Sequence, residues 1–143
     1  MKTIKILTDF NEYPGLRNCS ISENSGELFY HKILNSQFAD AFRTNSKLVV
    51  DLDGTGGYAS SFLDEAFGNL VYDFTLGIVN NLLEIISLEE PHWKSMIEEE
   101  TFKQWETRRL NNQAPKVTVT HDSWFRNVGG ELVEDIWALP IVA

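Results

Sequence analysis

The chain has 143 residues, 43% of them apolar and 12% aromatic, and a formal net charge of -9. That length and composition suit one domain with a real core and exclude a disordered chain. The acidic excess lies mostly after residue 53, where 14 acids face 6 bases against 7 and 6 before it, which excludes nucleic acid and anionic membrane as partners and favours a protein with a basic face.

Thr3 to Leu7 alternates and predicts a first strand, and Asn11 to Asn24, punctuated by Pro14 and Gly15, predicts a loop. Ser25-Gly26-Glu27 has the form of a helix start, with Ser25 as cap and Glu27 suited to the positive end of the helix dipole. Phe29, Ile33, Leu34, Phe38, Ala41 and Phe42 follow at helical spacing and form a buried stripe. Leu48-Val49-Val50, running into Asp51-Leu52-Asp53, reads as a buried central strand, and Gly54-Thr55-Gly56-Gly57 as a tight turn.

A second helix opens near Ser60 or Ser61, with Phe62, Leu63, Ala66, Phe67, Leu70, Val71 and Phe74 on its apolar face. Gly77 is expected to end that region, with a short strand near Leu83–Ile86. Glu89-Glu90-Pro91 predicts the start of a third helix that turns Trp93, Met96, Ile97 and Trp105 to the core and ends with Arg108 and Arg109. Lys116 to Thr120 alternates as a strand, Gly129-Gly130 is a turn, and Glu131 to Ala138 is a strand or a short helix. Strand–helix alternation makes this an α/β chain. Residues 1–110 are expected as the domain, and 111–143 as an extension packing on it or on a second subunit.

Cys19 is the single cysteine, so an internal disulfide and Cys-rich zinc sites are excluded. With no activating neighbour in sequence it reads as a small loop residue. His31, His92 and His121 lack metal-ligand spacing; His31 and His92 read as surface or capping residues, and the Asp122-Ser123 pair beside His121 as coincidence. No metal and no cofactor is expected. No apolar run reaches the roughly 20 residues of a membrane span, and Met1 to Asp9 turns acidic too soon for a signal peptide, so the expected address is the cytoplasm.

Leu48 to Thr55 looks like the first motif of haloacid-dehalogenase-type phosphatases, in which Asp51 would be the nucleophile and Asp53 the general acid/base, with Mg²⁺ neutralising charge. The motif sits far into the chain, however, and the only late acidic pair is Glu134-Asp135. In the competing reading Asp51 and Asp53 end a strand and brace the glycine turn.

The run Asp51 to Leu63 resembles more closely the strand–loop–helix of STAS domains, the anti-sigma-factor antagonists. Asp51, Leu52 and Gly54 match the strand end, and Ser60, Ser61 and Leu63 match the serine pair and leucine of the helix start, with Phe62 standing where that family has glycine. Tyr13-Pro14-Gly15-Leu16-Arg17, Ser25-Gly26-Glu27 with Phe29, and Phe62 to Gly68 are similar to the divergent STAS-like domains of unknown function, with Leu16 in place of an expected proline. The resemblance spans about residues 3–105. It implies a small mixed β-sheet with helices mainly on one face. It also implies a bacterial regulatory module that is not an enzyme and binds a histidine-kinase-type ATPase or an anti-sigma-like regulator. The contact surface expected from it is Gly56, Gly57, Tyr58, Ser60, Ser61, Phe62, Asp64 and Glu65, with Ser61 or Ser60 as the phosphorylated residue. Ser61 read on its own is an N-cap with Asp64 as near capping-box partner. Tyr58 either anchors the partner or folds back on the domain, and Arg17 either binds an anion or braces its loop. Alternatives are the Mg²⁺-dependent phosphatase and a structural homodimer exchanging the tryptophan-bearing tail.

Overall fold

The computed structural model describes residues 1–137; the last residues of the expected extension, 138–143, lie outside the described residues. Strand β1 (Lys2–Lys5) runs through a π-helical turn at Ile6–Phe10 into a long loop. A continuous helical run then spans α1 (Gly26–Phe29), a π segment (Tyr30–Leu34) and α2 (Asn35–Thr44). Ser25 caps it, its Oγ accepting from the Leu28 N–H at 3.1 Å, and Asn45 closes it in the left-handed region. After it come β2 (Leu48–Asp51), α3 (Ser60–Phe74), α4 (Leu76–Leu82) and β3 (Leu83–Ile86). A last helical run joins α5 (Pro91–Met96), a π segment (Ile97–Thr101) and α6 (Phe102–Leu110), and a hairpin of β4 (Trp124–Val128) and β5 (Glu131–Asp135) follows.

The fold is α/β, as expected, but the mixture of strand directions is divided between two sheets. Strands β1, β2 and β3 form a parallel sheet in that order, and β4–β5 is a separate antiparallel pair. The hairpin is not an extra strand of the first sheet because β4 lies against α2 and α3 instead. In the parallel sheet Ile4 pairs with Val50 and Val50 with Ile85, and all three are buried in the main core cluster. Their neighbours Thr3 and Glu84, on the opposite face, are exposed. The alternation therefore turns one face of the sheet toward the helices.

The apolar stripes behave as the spacing predicts. Phe29, Leu34 and Phe38 are fully buried on the first run, and Phe62, Phe67 and Phe74 on α3, while Phe38 and Phe74 meet edge to face at 4.8 Å. Ile97 and Trp105 are buried on the last run, and Trp93 and Met96 are partly buried. Two boundaries differ. Thr75, with φ 79°, breaks α3 from α4, whereas Gly77 lies inside α4. Lys116 to Thr120 is not a strand: it makes only an isolated bridge at Val117, and the next backbone N–H, that of Thr118, is taken by the side chain of Glu27. No helix among the described residues is long and apolar enough to cross a membrane.

Candidate functional site

The first turn of α3 lies on a shallow groove of about 240 Å³ lined by Arg17, Ser60, Ser61, Asp64, Glu100 and Gln104 among others. Ser60 is exposed and Ser61 half-buried. The helix is capped at Ala59 without any side-chain hydrogen bond. Ser61 is thus inside the helix rather than at its cap, and the capping reading is corrected: α3 starts two residues earlier than a Ser61 cap requires. Ser61 lines the groove and does not cap the helix.

Arg17 reaches the groove from the loop before α1. Its Nη1 donates to Asp64 Oδ2 at 2.7 Å and to Glu65 Oε1 at 3.2 Å, and Trp105 Nε1 donates to the other Asp64 oxygen at 3.1 Å. Arg17 therefore braces its loop against α3. Burial alone would lower the guanidinium's pKa, but Asp64 and Glu65 raise it above its ordinary value. Glu65 is buried, accepts from Asn69 as well, and has its carboxyl pushed up by burial.

Three expected contact residues are not available to a partner. Phe62 is fully buried and packs on Phe29 and Phe10, Glu65 is buried as above, and Tyr58 is folded back, its hydroxyl donating to Leu52 O at 2.7 Å. Burial raises the Tyr58 phenol to about 12. The surface that stays open at this end consists of Gly56, Gly57, Ser60, Ser61 and Asp64.

The two motif aspartates are engaged elsewhere. Asp51 Oδ1 accepts from the Asp53 N–H at 2.9 Å, and Asp53 accepts from Leu88 N and Glu89 N at 3.1 and 3.0 Å. Asp53 thus braces the connection after β3 rather than the glycine turn. The cleft at Asp53 is only about 40 Å³, too small for an ordinary substrate pocket. Glu134 and Asp135 lie on β5 of the separate hairpin.

A second polar centre joins residues far apart in the chain. Glu27, 1% exposed, accepts from the Cys19 N–H (3.0 Å), the Thr118 N–H (3.0 Å) and hydroxyl (2.5 Å), and His121 Nε2 (2.7 Å). Burial pushes its carboxyl up, yet these donors win and hold it at about 2. Burial likewise works against charge on His121, but hydrogen bonds to Cys19 and Glu27 raise it to about 9. The His31 ring stacks on His121 at 4.0 Å, and burial with the charge of His121 lowers it to about 3.

The hairpin is fastened similarly. Asp73, fully buried, accepts from Arg126 Nε at 2.8 Å and from the Tyr30 hydroxyl, and Asn35 pairs with the Phe125 backbone through both its amide atoms. Burial lifts the Asp73 carboxyl to about 6 against the pull of Arg126.

Residues 25–93 match the model of a family described as a STAS-like domain of unknown function (DUF4325). Over this span the chain is similar to that family. Neither the curated proteins nor the solved structures contain a match to the chain. The STAS-like span carries Ser60, Ser61, Asp64 and Glu27, whereas Arg17, Cys19 and His121 reach them from outside it. Within the span Ser25-Gly26-Glu27 has a separate reason at each position. Ser25 caps, Glu27 gathers four donors, and a Cβ on Gly26 would stand 2.5 Å from the Phe62 carbonyl oxygen, so glycine lets the first helical run approach α3.

The sequence reading missed the assembly around Glu27. It treated Cys19, His31 and His121 as isolated because they lie up to 102 positions apart. One signal was present: a glutamate two positions after a serine cap in an otherwise apolar stripe, where burial demands donors from elsewhere.

Proposed function

We propose that this STAS-like domain is a non-enzymatic regulatory module that binds a protein partner at the first turn of α3. The observation that carries the reading is the pair Ser60 and Ser61, open on a groove with Arg17 and Asp64 and relieved of capping. The STAS likeness supplies the partner class, a histidine-kinase-type ATPase or anti-sigma-like regulator, and Ser61 as the residue it phosphorylates.

A phosphoryl group there adds roughly -1.5 to -2 charges with strong acceptor oxygens. It lies at the positive end of a 15-residue helix, which the domain tolerates. It also competes with Asp64 for Arg17, the cation of the groove. Phosphorylation therefore exchanges one ion pair for another and leaves Asp64 to repel an acidic or bulky partner surface.

The test is a paired pull-down from native lysate with wild type, Ser61→Ala and Ser61→Asp as baits. A kinase-type ATPase captured by wild type and Ser61→Ala but not by Ser61→Asp is the expected result. Equal capture by all three baits, or loss with Ser61→Ala alone, contradicts the reading.

A further inference from the structure

The centre built around Glu27 plays no part in the function proposed above. The Cys19 sulfur, a Glu27 oxygen and a His121 ring nitrogen lie within 4.8 Å of one another. Such spacing also suits a metal ion. But the two Glu27 oxygens already accept four hydrogen bonds, about as many as a carboxylate has lone-pair positions. Glu27 is thus spent on holding the imidazole of His121, which stacks against His31 and meets the edge of Trp124. A carboxylate that orients an imidazole next to a thiol has the arrangement of an activated nucleophile.

The sulfur is also reachable. Cys19 is partly exposed and lines a pocket of about 620 Å³ with Ile21, Glu23, Leu28 and Val119 on its walls. Ser25 Oγ stands 3.3 Å from the sulfur. The backbone N–H groups of Cys19 and of the next residue are occupied, Cys19 N by Glu27 and Ser20 N by Thr118 Oγ1 at 3.2 Å. Attack on a carbonyl would therefore lack the donors that stabilise an oxyanion beside the nucleophile. Displacement on a peroxide oxygen by the sulfur, in one step, passes through no such oxyanion.

We propose that Cys19 is a modification site, a nucleophilic thiol positioned by His121 and Glu27 that reacts with hydroperoxides entering this pocket. The Cys19 thiolate attacks one peroxide oxygen. An S–O bond forms and the O–O bond breaks, so that the sulfur is oxidised by two electrons and the peroxide is reduced. Attack is on the terminal oxygen, and the leaving hydroxide or alkoxide takes a proton from the His121 imidazolium and departs as water or alcohol, leaving Cys19 as sulfenic acid. The chain holds no second cysteine. A small-molecule thiol then condenses with the sulfenic acid, losing water and leaving a mixed disulfide in the pocket. The raised pKa of His121 agrees with its standing as the proton donor at neutral pH. Titratable groups around the sulfur are Glu27 and His31 from the first helical run, His121 from the segment after α6, and Glu23 on the pocket wall.

The test follows iodoacetamide alkylation of Cys19 by peptide mass in the full chain from pH 5.5 to 9. Native and urea-unfolded wild type are compared, each corrected with N-acetylcysteine in the same solvent; this comparison needs no variant. The native chain is expected to react at least about tenfold faster at pH 7. A folded His121→Gln variant, checked by circular dichroism, should lose about tenfold at that pH and shift its rate midpoint upward. Hydrogen peroxide followed by dimedone should label Cys19 in wild type. Equal native and unfolded rates, a wild-type profile in folded His121→Gln, or no dimedone adduct would overturn the proposal. So would stoichiometric Zn²⁺ that blocks alkylation reversibly with chelator, since the three residues would then be metal ligands.

Discussion

Gly68 faces the indole of Trp105 where α3 crosses α6. A Cβ built on Gly68 falls well inside contact distance of the Trp105 ring atoms Cε2, Nε1 and Cδ1. The ring has little room to retreat, being buried at 1% exposure, bonded through Nε1 to Asp64 and covered by the Arg108 guanidinium at 4.0 Å. Gly68→Ala should gain about 1 kcal/mol of helix propensity. Against this stand about 1–3 kcal/mol for overpacking and about 1 kcal/mol for the strained or lost hydrogen bond to Asp64. The expected net loss is about 2 kcal/mol. Trp105→Val, whose side chain ends at Cγ, removes the clash at a cost of about 3 kcal/mol of its own. In that background Gly68→Ala should be neutral or stabilising by up to about 1 kcal/mol, a coupling of roughly 2–3 kcal/mol. Urea unfolding of the four proteins by far-ultraviolet circular dichroism measures this. If Gly68→Ala costs the same in both backgrounds, or nothing in wild type, the crossing is not set by this contact.

His121 is raised from 6.5 to about 9, so its contribution to stability is complete below pH 6.5 and is lost as pH rises through 9. About 2 kcal/mol, after discounting for screening, should disappear across that window, and in urea titrations His121→Gln should flatten it. Glu27, lowered from 4.5 to about 2, contributes above pH 4.5 and loses its share as pH falls through 2, which Glu27→Gln should remove from an acid titration of far-ultraviolet signal. Asp73→Ala strips partners from Arg126 and the Tyr30 hydroxyl and should cost about 3 kcal/mol. Its hairpin should then be cut first in limited proteolysis, whereas cleavage at unchanged sites would refute the clamp. Tyr58→Phe should cost about 1 kcal/mol for the lost bond to Leu52 O and leave partner capture unchanged, because the ring is inside the domain.

What the sequence determined by itself is what depends on neighbours within a few positions. The Leu83–Ile86 strand, the Ser25 cap, the helical stripes of Phe29 to Phe38 and Phe62 to Phe74, and Pro91 at a helix start all follow from local spacing and backbone chemistry. The open side of the candidate site was legible for the same reason: Ser60 and Ser61 sit at a helix start whichever residue caps it. The tertiary structure alone decided which chemistry meets which. It buried Phe62, Tyr58 and Glu65, sent Asp53 to Leu88 and Glu89, and made Thr118, in an expected strand, a double donor for Glu27. It also brought Cys19 to His121. A carboxylate taken out of water must find donors wherever the chain can supply them, and their identity is a property of how loops far apart in sequence pack, which no local pattern encodes.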